Sequence, residues 1–135
     1  MSVAASLDTN VLVRLVVKDD AQQLAAARRV LAQYVKRAQT LFVPITVVLE
    51  LEWVLRSRYK FGKPDILNAF SSLLMTVELE FEAEDALEQS LVSHEEGTAD
   101  FADCLHLALA RHGGALPFLT SDSDASKLNG ASLLK

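Results

Sequence analysis

The chain has 135 residues, a length that suits one globular domain better than two independent cores. Hydrophobic residues make up 50 % and charged residues 23 %, with only five Gly and three Pro, which excludes disordered, collagen-like and low-complexity proteins. The formal net charge of −5 argues against a protein that holds nucleic acid through a broad basic surface. Any contact with nucleic acid must therefore be local.

The sequence favours a cytoplasmic protein that does not enter a membrane. Cys104 is the single cysteine and cannot form an intrachain disulfide, and residues 1–6 lack the basic and apolar stretches of a signal peptide. The most apolar segment, residues 41–55, is interrupted by Pro44, Glu50 and Glu52. It is also shorter than the roughly 20 residues that a membrane-spanning helix needs. We expect a reducing compartment and no membrane contact.

Short apolar runs alternate with longer segments of helical periodicity along the chain. Asp8 is placed to cap the first helix, Thr46 to cap the third, and Gly97 and Gly113 to end later ones. The predicted strands cover residues 3–7, 41–43, 77–81, 116–119 and 131–134. The predicted helices cover residues 11–17, 20–38, 47–59, 64–75, 82–96, 98 or 99 to 112, and 125–128.

This alternation predicts an α/β domain. Parallel neighbouring strands need crossover connections, and helices between strands supply them. We find no repeat, linker or composition shift that would divide the chain. The sequence therefore predicts a single domain over residues 1–135, with a mainly parallel sheet of about five short strands.

Acidic residues follow several of these elements. Asp8 comes directly after the first strand and Asp122 within three residues of the strand at 116–119, where the ligand crevice of an open α/β sheet lies. Glu50 and Glu52 are the only acids in an apolar segment, so at least one of them needs a partner. About 200° separates these two on a helix, and they cannot both face one site.

Asp100 and Asp103 are three residues apart and share one helix face. Taken singly, the acids have simpler roles: a cap for Asp8, complementing the helix dipole for Asp100 and Asp103, and a turn for Asp122. Taken together they suggest a cation site, because two carboxylates about 5 Å apart repel by roughly 3 kcal/mol at an effective dielectric near 20. Oxygen ligands favour Mg²⁺ or Mn²⁺, and such ions support phosphodiester hydrolysis.

Four segments together resemble a known family. Their order and spacing are similar to the motifs of the PIN-domain ribonucleases, and among these to the VapC-type toxins of toxin–antitoxin pairs, and the resemblance covers nearly the whole chain. Ser121 stands where many relatives carry an aromatic residue. The resemblance implies a PIN-like three-layer α/β/α domain. The segments are residues 7–12 (LDTNVL), 49–56 (LELEWVLR), 99–106 (ADFADCLH) and 118–122 (FLTSD).

The resemblance also implies a function and a set of acids. The function is that of a metal-dependent endoribonuclease, the toxin component of a VapBC-type pair. The catalytic acids would be Asp8, Glu50, one of Asp100 and Asp103, and Asp122. Asp103 is favoured as the metal ligand of its pair, with Asp100 close by. Asp8, Asp103 and Asp122 would hold Mg²⁺ or Mn²⁺, while Glu50 completes the ligands or orients the attacking water.

Other residues are assigned supporting roles. The hydroxyl and amide side chains beside the acids are predicted to hydrogen-bond metal ligands or phosphate: Thr9, Asn10 and Thr120. Four cations are candidates for phosphate contacts: Arg14, Arg56, Arg58 and Lys60. His106 is interpreted as a core or groove histidine rather than as a residue that supports the metal ligands. Cys104 is interpreted as a small buried residue, and Trp53 and Phe101 as packing residues rather than base-stacking platforms.

Partners and alternatives complete the set of expectations. The resemblance implies an RNA substrate, a VapB-type antitoxin that blocks the acidic groove, and a homodimer formed through helices. Residues 47–55 are apolar on more than one helix face, which agrees with a buried helix and with a subunit contact. The alternatives are a receiver-like phosphoacceptor domain and a catalytically silent interaction module. Glycine-rich phosphate loops and zinc-binding HExxH spacing are absent from the sequence.

Overall fold

A computed structural model describes residues 2–134. These residues form five β-strands, six α-helices and one short 3-10 helix, and all strand pairings are parallel. The predicted α/β class, with parallel strands flanked by helices, is confirmed. The chain divides into two compact units, Met1–Glu82 and Ala83–Lys135.

The first unit contains three strands and four helices. Its strands form one sheet in the order β1-β2-β3, with Ser6 beside Phe42 and Val43 beside Phe81, so the carboxyl ends of all three strands lie at one edge. The elements are β1 (Ser2–Ser6), α1 (Thr9–Val17), α2 (Ala21–Lys36), β2 (Gln39–Val43), α3 (Ile45–Ser57), α4 (Lys63–Leu74) and β3 (Leu79–Phe81).

The core of this unit lies where helices pack on the sheet. The side chains of Leu41 and Val43 from β2, Leu51 from α3 and Phe70 from α4 are fully buried. Helix α2 packs on β2 and α4 packs on β3. Apolar side chains of α3 and α4 thus fill this core, whereas Ala27 is the one described residue of α2 that is buried.

Side-chain caps fix where α1 and α2 begin. Asp8 caps α1, as predicted, and the Asp20 carboxylate accepts the N–H groups of Gln22 and Gln23 at the start of α2. The predicted Thr46 cap of α3 is wrong. That helix begins earlier, at Ile45, whose N–H donates to Glu82 Oε1 over 2.8 Å. Glu82 follows β3 at the same sheet edge and so reaches the start of α3.

The second unit contains two helices and two parallel strands, with β4 paired to β5. Helices α5 and α6 pack together around Leu87, Phe101 and Leu105, which are almost fully buried. The elements are α5 (Glu84–Glu96), α6 (Phe101–His112), β4 (Phe118–Thr120), the 3-10 helix (Ala125–Lys127) and β5 (Ala131–Leu133).

Helix α6 begins at Phe101, two to three residues later than predicted. Thr98 and Ala99 lie in the loop before the helix, where the Thr98 hydroxyl donates to Asp124 and the Ala99 carbonyl is hydrogen-bonded to the His94 ring. Asp100 therefore becomes the residue that precedes the helix. Among residues 2–134, no helix combines the length and apolar character needed to cross a bilayer.

Candidate functional site

Thr9 connects two of the predicted acids in the first unit. Its backbone N–H donates to Asp8 Oδ1 over 2.7 Å, and its hydroxyl donates to Glu50 Oε1. Thr9 itself is buried, whereas Asp8 and Glu50 are exposed. A carboxylate accepts more than one hydrogen bond or metal contact, so both acids keep capacity for a further ligand. The cap at Asp8 is thus compatible with a chemical role.

Glu50 and Glu52 have different environments, as their helix spacing predicts. Glu52 is only 4 % exposed, and its carboxylate pairs with the Arg56 guanidinium through contacts of 2.9 and 3.4 Å. The expectation that one of the two acids needs a partner is confirmed. Arg56 is held by this ion pair, a contact that was not predicted for it. Glu50 is the acid that faces solvent.

Two acids of the second unit act on the charge of a third, Asp103. Asp100 directly precedes α6 and Asp103 lies in its first turn. Burial raises the pKa of Asp103 above its ordinary value, the negative charges of Asp122 and Asp100 raise it further, and the charge of His106 acts in the opposite direction. The carboxylates are therefore close enough to repel.

Asp122 is positioned by the turn that follows β4. Its N–H donates to Thr120 Oγ1 over 3.0 Å, and its Oδ1 accepts the N–H of Ala125 over 2.9 Å. The turn role predicted for Asp122 is present, with Thr120 as its partner. One carboxylate oxygen serves the turn, and the carboxylate charge still acts on Asp103.

A hydrogen bond joins this turn to the loop that precedes α6. The Thr98 hydroxyl donates to Asp124 Oδ1 over 2.9 Å, although the two residues are 26 positions apart. Asp124 also lies 3.6 Å from the Lys127 ammonium. The segments that carry Asp100 and Asp122 are thus fastened to each other at residues two positions away from the acids themselves.

The remaining predicted residues lie partly in solvent and partly in the core. Asn10 and Arg14 are exposed on α1. Cys104 and Phe101 are each 2 % exposed, which confirms that they are packing residues. The functional roles of Asn10 and Arg14 stay predictions.

Two residues have surroundings that differ from those predicted. His106 is exposed, acts on the pKa of Asp103, and packs against Phe118 with ring centroids 6.3 Å apart, so a core position for it is wrong. Its three-residue spacing from Asp103 is the signal that places it there. Trp53 is 51 % exposed, so its interpretation as a packing residue is also wrong. Like His106, Trp53 lies three residues from a candidate acid, in this case Glu50, and this spacing places Trp53 and Glu50 on one side of the helix.

The sequence matches the family model of the PIN domain over residues 5–131. The chain belongs to the PIN domain family. PIN domains are typically nucleases and typically use divalent metals. The resemblance found from the four sequence segments is confirmed at this level. No curated protein matches the chain significantly.

Two solved structures of VapC proteins resemble this PIN domain. VapC20 of Mycobacterium tuberculosis, a toxin that cleaves the sarcin-ricin loop, has 24 % sequence identity and a TM-score of 0.41, with 91 % of this chain and 93 % of that chain covered. VapBC2 of Rickettsia felis, bound to a DNA fragment of its promoter, has 16 % identity and a TM-score of 0.36, with 99 % and 98 % covered.

The acids of this PIN domain fit a hard cation chemically. All of them supply carboxylate oxygens, which Mg²⁺ and Mn²⁺ prefer. Among residues 2–134, no three His, Cys, Asp or Glu side chains lie close enough together to hold a metal ion. The effect of Asp122 and Asp100 on the pKa of Asp103 does not conflict with this, because charges act over longer distances than the roughly 2.0–2.1 Å bonds of Mg²⁺.

A cavity of about 640 Å³ in the first unit of the PIN domain is separate from this chemistry. It has an apolar floor that includes Leu15, Leu31 and Phe61, with Lys18 and Asp65 among its polar residues. None of the candidate acids is among the described residues that line it. Cavity size alone does not locate the functional site here.

Proposed function

We propose that this PIN domain is a metal-dependent endoribonuclease and the toxin of a VapBC-type pair. The observation that carries the proposal is the match to the PIN domain model over residues 5–131, in which Asp100 and Asp103 stand at the start of α6 and the charges of Asp122 and Asp100 disfavour ionisation of Asp103. Negative charges held near one another destabilise the folded chain unless a cation balances them, and the family is one of nucleases. The same acids occur in the segments that resemble the family motifs.

The proposed roles follow the chemistry of each side chain. Asp8, Asp103 and Asp122 would hold Mg²⁺ or Mn²⁺, with Asp100 beside them. The ion, when bound, activates water and stabilises the charge of the phosphoryl group. Glu50 would orient the attacking water, and the Thr9 hydroxyl fixes the direction of the Glu50 carboxylate.

His106 and the second-unit turn would support these roles. His106 acts on the charge of Asp103, and the Ala125 N–H fixes one oxygen of Asp122. A carboxylate whose orientation is fixed before binding loses less side-chain freedom when a ligand arrives. These contacts support a site whose carboxylates are oriented by the chain itself.

The test compares two aspartates of the same turn. We expect Asp122→Asn to lower Mg²⁺-dependent cleavage of RNA by at least about a hundredfold, since a ligand charge is lost. Asp103→Asn and Asp8→Asn should behave in the same way. Asp124→Asn is the matched control, because an amide oxygen still accepts the Thr98 hydroxyl.

The measurement is cleavage of a labelled oligoribonucleotide with and without EDTA, on variants whose folding is verified by circular dichroism. Undiminished activity of folded Asp103→Asn would refute the assignment. A wild-type chain that cleaves no RNA would instead favour the interaction module. Acid-labile aspartyl phosphate would favour the receiver-like alternative.

The toxin role implies further partners. A VapB-type antitoxin would cover the acidic residues, the active chain would be a cytoplasmic homodimer, and RNA would be the substrate. The support for this part is the resemblance of the four sequence segments to VapC-type motifs. A neighbouring short gene that encodes a DNA-binding N-terminus and a basic C-terminus would agree with it. Its absence would leave the nuclease without the toxin role.

A further inference from the structure

Trp53 is the large aromatic side chain that α3 presents to solvent. It is 51 % exposed, whereas Leu51 and Leu55 on the opposite side of the helix are fully buried. Burying half of an indole would release a large apolar area from water, so an exposed Trp on a rigid helix marks a contact surface. Its neighbours on the helix indicate the kind of partner.

The surroundings of Trp53 are polar on both sides. Glu50 lies three residues before it and Arg56 three residues after it, each about 60° away around the helix and about 4.5 Å along its axis. Thr46 and Ser57 fall on the same face, which we call the Trp53 face. An acid, an aromatic ring and a cation thus follow one another in successive turns.

The charge along α3 becomes positive toward its carboxyl end. The Arg56 guanidinium is paired with Glu52 while its side chain stays 55 % exposed. Arg58 and Lys60, both exposed, follow at the end of the helix. The half-exposed Arg56 one turn from the ring, with two more cations beyond the helix end, suits a phosphate backbone whose bases stack on that ring.

We propose that Trp53 is a stacking platform for one base of a single-stranded RNA substrate. The proposal rests on the proposed function, because it places the platform one helical turn from Glu50. A protein partner fits this face less well, since Glu and Lys, which flank Trp53 here as Glu50 and Lys60, are depleted at protein interfaces even though Trp and Arg are enriched there. Base stacking needs only a ring face and tolerates any sequence.

The first experiment uses Trp53 as its own probe. Because the chain has a single Trp, its fluorescence reports on this position alone. We expect an unlabelled oligoribonucleotide of about 12 mixed-sequence nucleotides to quench this fluorescence saturably, in EDTA so that the RNA stays intact. Fluorescence that stays constant while the same RNA binds would overturn the proposal.

The second experiment compares three variants by fluorescence anisotropy of a fluorescein-labelled copy of that RNA. Trp53→Leu should weaken binding about tenfold, whereas Trp53→Phe keeps a ring and should recover most of it. In cleavage assays Trp53→Leu should raise KM and leave kcat nearly unchanged. Tyr59→Leu is the matched control, an aromatic residue 39 % exposed beyond the end of α3.

The outcomes separate this inference from the proposed function. If Trp53→Leu binds RNA like the wild type while Asp103→Asn loses cleavage, the platform is refuted and the nuclease stands. If Trp53→Leu changes only the sedimentation of the chain, the Trp53 face is a protein contact and the platform is refuted. A wild-type chain that neither binds nor cleaves RNA refutes both.

Discussion

The pKa of Asp103 depends on its burial and on the charges of its neighbours. Burial and the charges of Asp122 and Asp100 all disfavour its ionised form, and only His106 favours it. In the folded chain without metal, this carboxyl group therefore opposes folding once it ionises. The same property makes it a good place for a cation.

A pH dependence of stability follows from this shift. The pKa of Asp103 is raised from 3.8, so in the window just above 3.8 the folded state binds more protons than the unfolded state. The contribution of Asp103 to the free energy of unfolding, measured in EDTA, should fall as pH rises through that window, and this loss is complete above the raised pKa. Asp103→Asn should remove this component, which denaturant unfolding at a series of pH values measures. Parallel curves for the variant and the wild type would contradict burial and charge repulsion at Asp103 as the cause.

The sequence alone was enough to choose candidate acids from their positions beside predicted strands and helices. The sequence marks Asp8, Asp103 and Asp122 as acids that follow strands or open a helix. It cannot decide which of Glu50 and Glu52 faces solvent, because periodicity leaves both faces of an apolar helix open. It also cannot reveal that Trp53 is exposed, since exposure depends on what the rest of the fold leaves uncovered.

At the scale of elements, hydrogen bonds between segments far apart in sequence determine where helices begin. Helix α3 begins where the Glu82 carboxylate meets the Ile45 N–H, 37 positions apart, and the sequence shows only the nearby Thr46. Helix α6 begins late because Thr98 is bonded to Asp124. Element types follow from periodicity, whereas their ends depend on such partners.

The Thr98 hydrogen bond gives a prediction at this scale. Thr98→Val removes the hydroxyl at nearly constant volume, so we expect a loss of about 1 kcal/mol in the free energy of unfolding and weaker Mg²⁺ binding. Thr98→Ser keeps the hydroxyl and is the control. Urea denaturation and Mg²⁺ titration provide the two measurements. Equal Mg²⁺ affinity in both variants would show that this bond does not organise the acids.

At the scale of the whole molecule, alternation of strands and helices predicted the α/β class and the number of strands. It did not predict that the strands form sheets of three and two, β1-β2-β3 and β4-β5. Strand neighbours are chosen by contacts between segments far apart in sequence, which a pattern within one segment does not contain. Whether residues 1–135 unfold as a single domain stays a prediction.

Metal linkage tests the molecule as a whole. Binding of Mg²⁺ to the folded state alone should stabilise it by about 2.7 kcal/mol at a hundred times Kd, which is roughly a 10 °C rise in Tm for a chain of this size. Asp8→Asn and Asp103→Asn should each reduce the rise. Differential scanning calorimetry with Mg²⁺ and with EDTA measures it. An unchanged Tm at saturating Mg²⁺ would count against metal binding.

The buried position of Cys104 has a practical consequence. Its sulfur is the only thiol in the chain and is 2 % exposed, in the helix that also carries Asp103. Cys104 also lines a cavity of about 450 Å³, and separation of α6 from its neighbours would expose its sulfur further, so a modification rate above that of the closed state reports this opening. Alkylation of Cys104 can therefore be used to follow local unfolding in the helix that carries Asp103, without an engineered label.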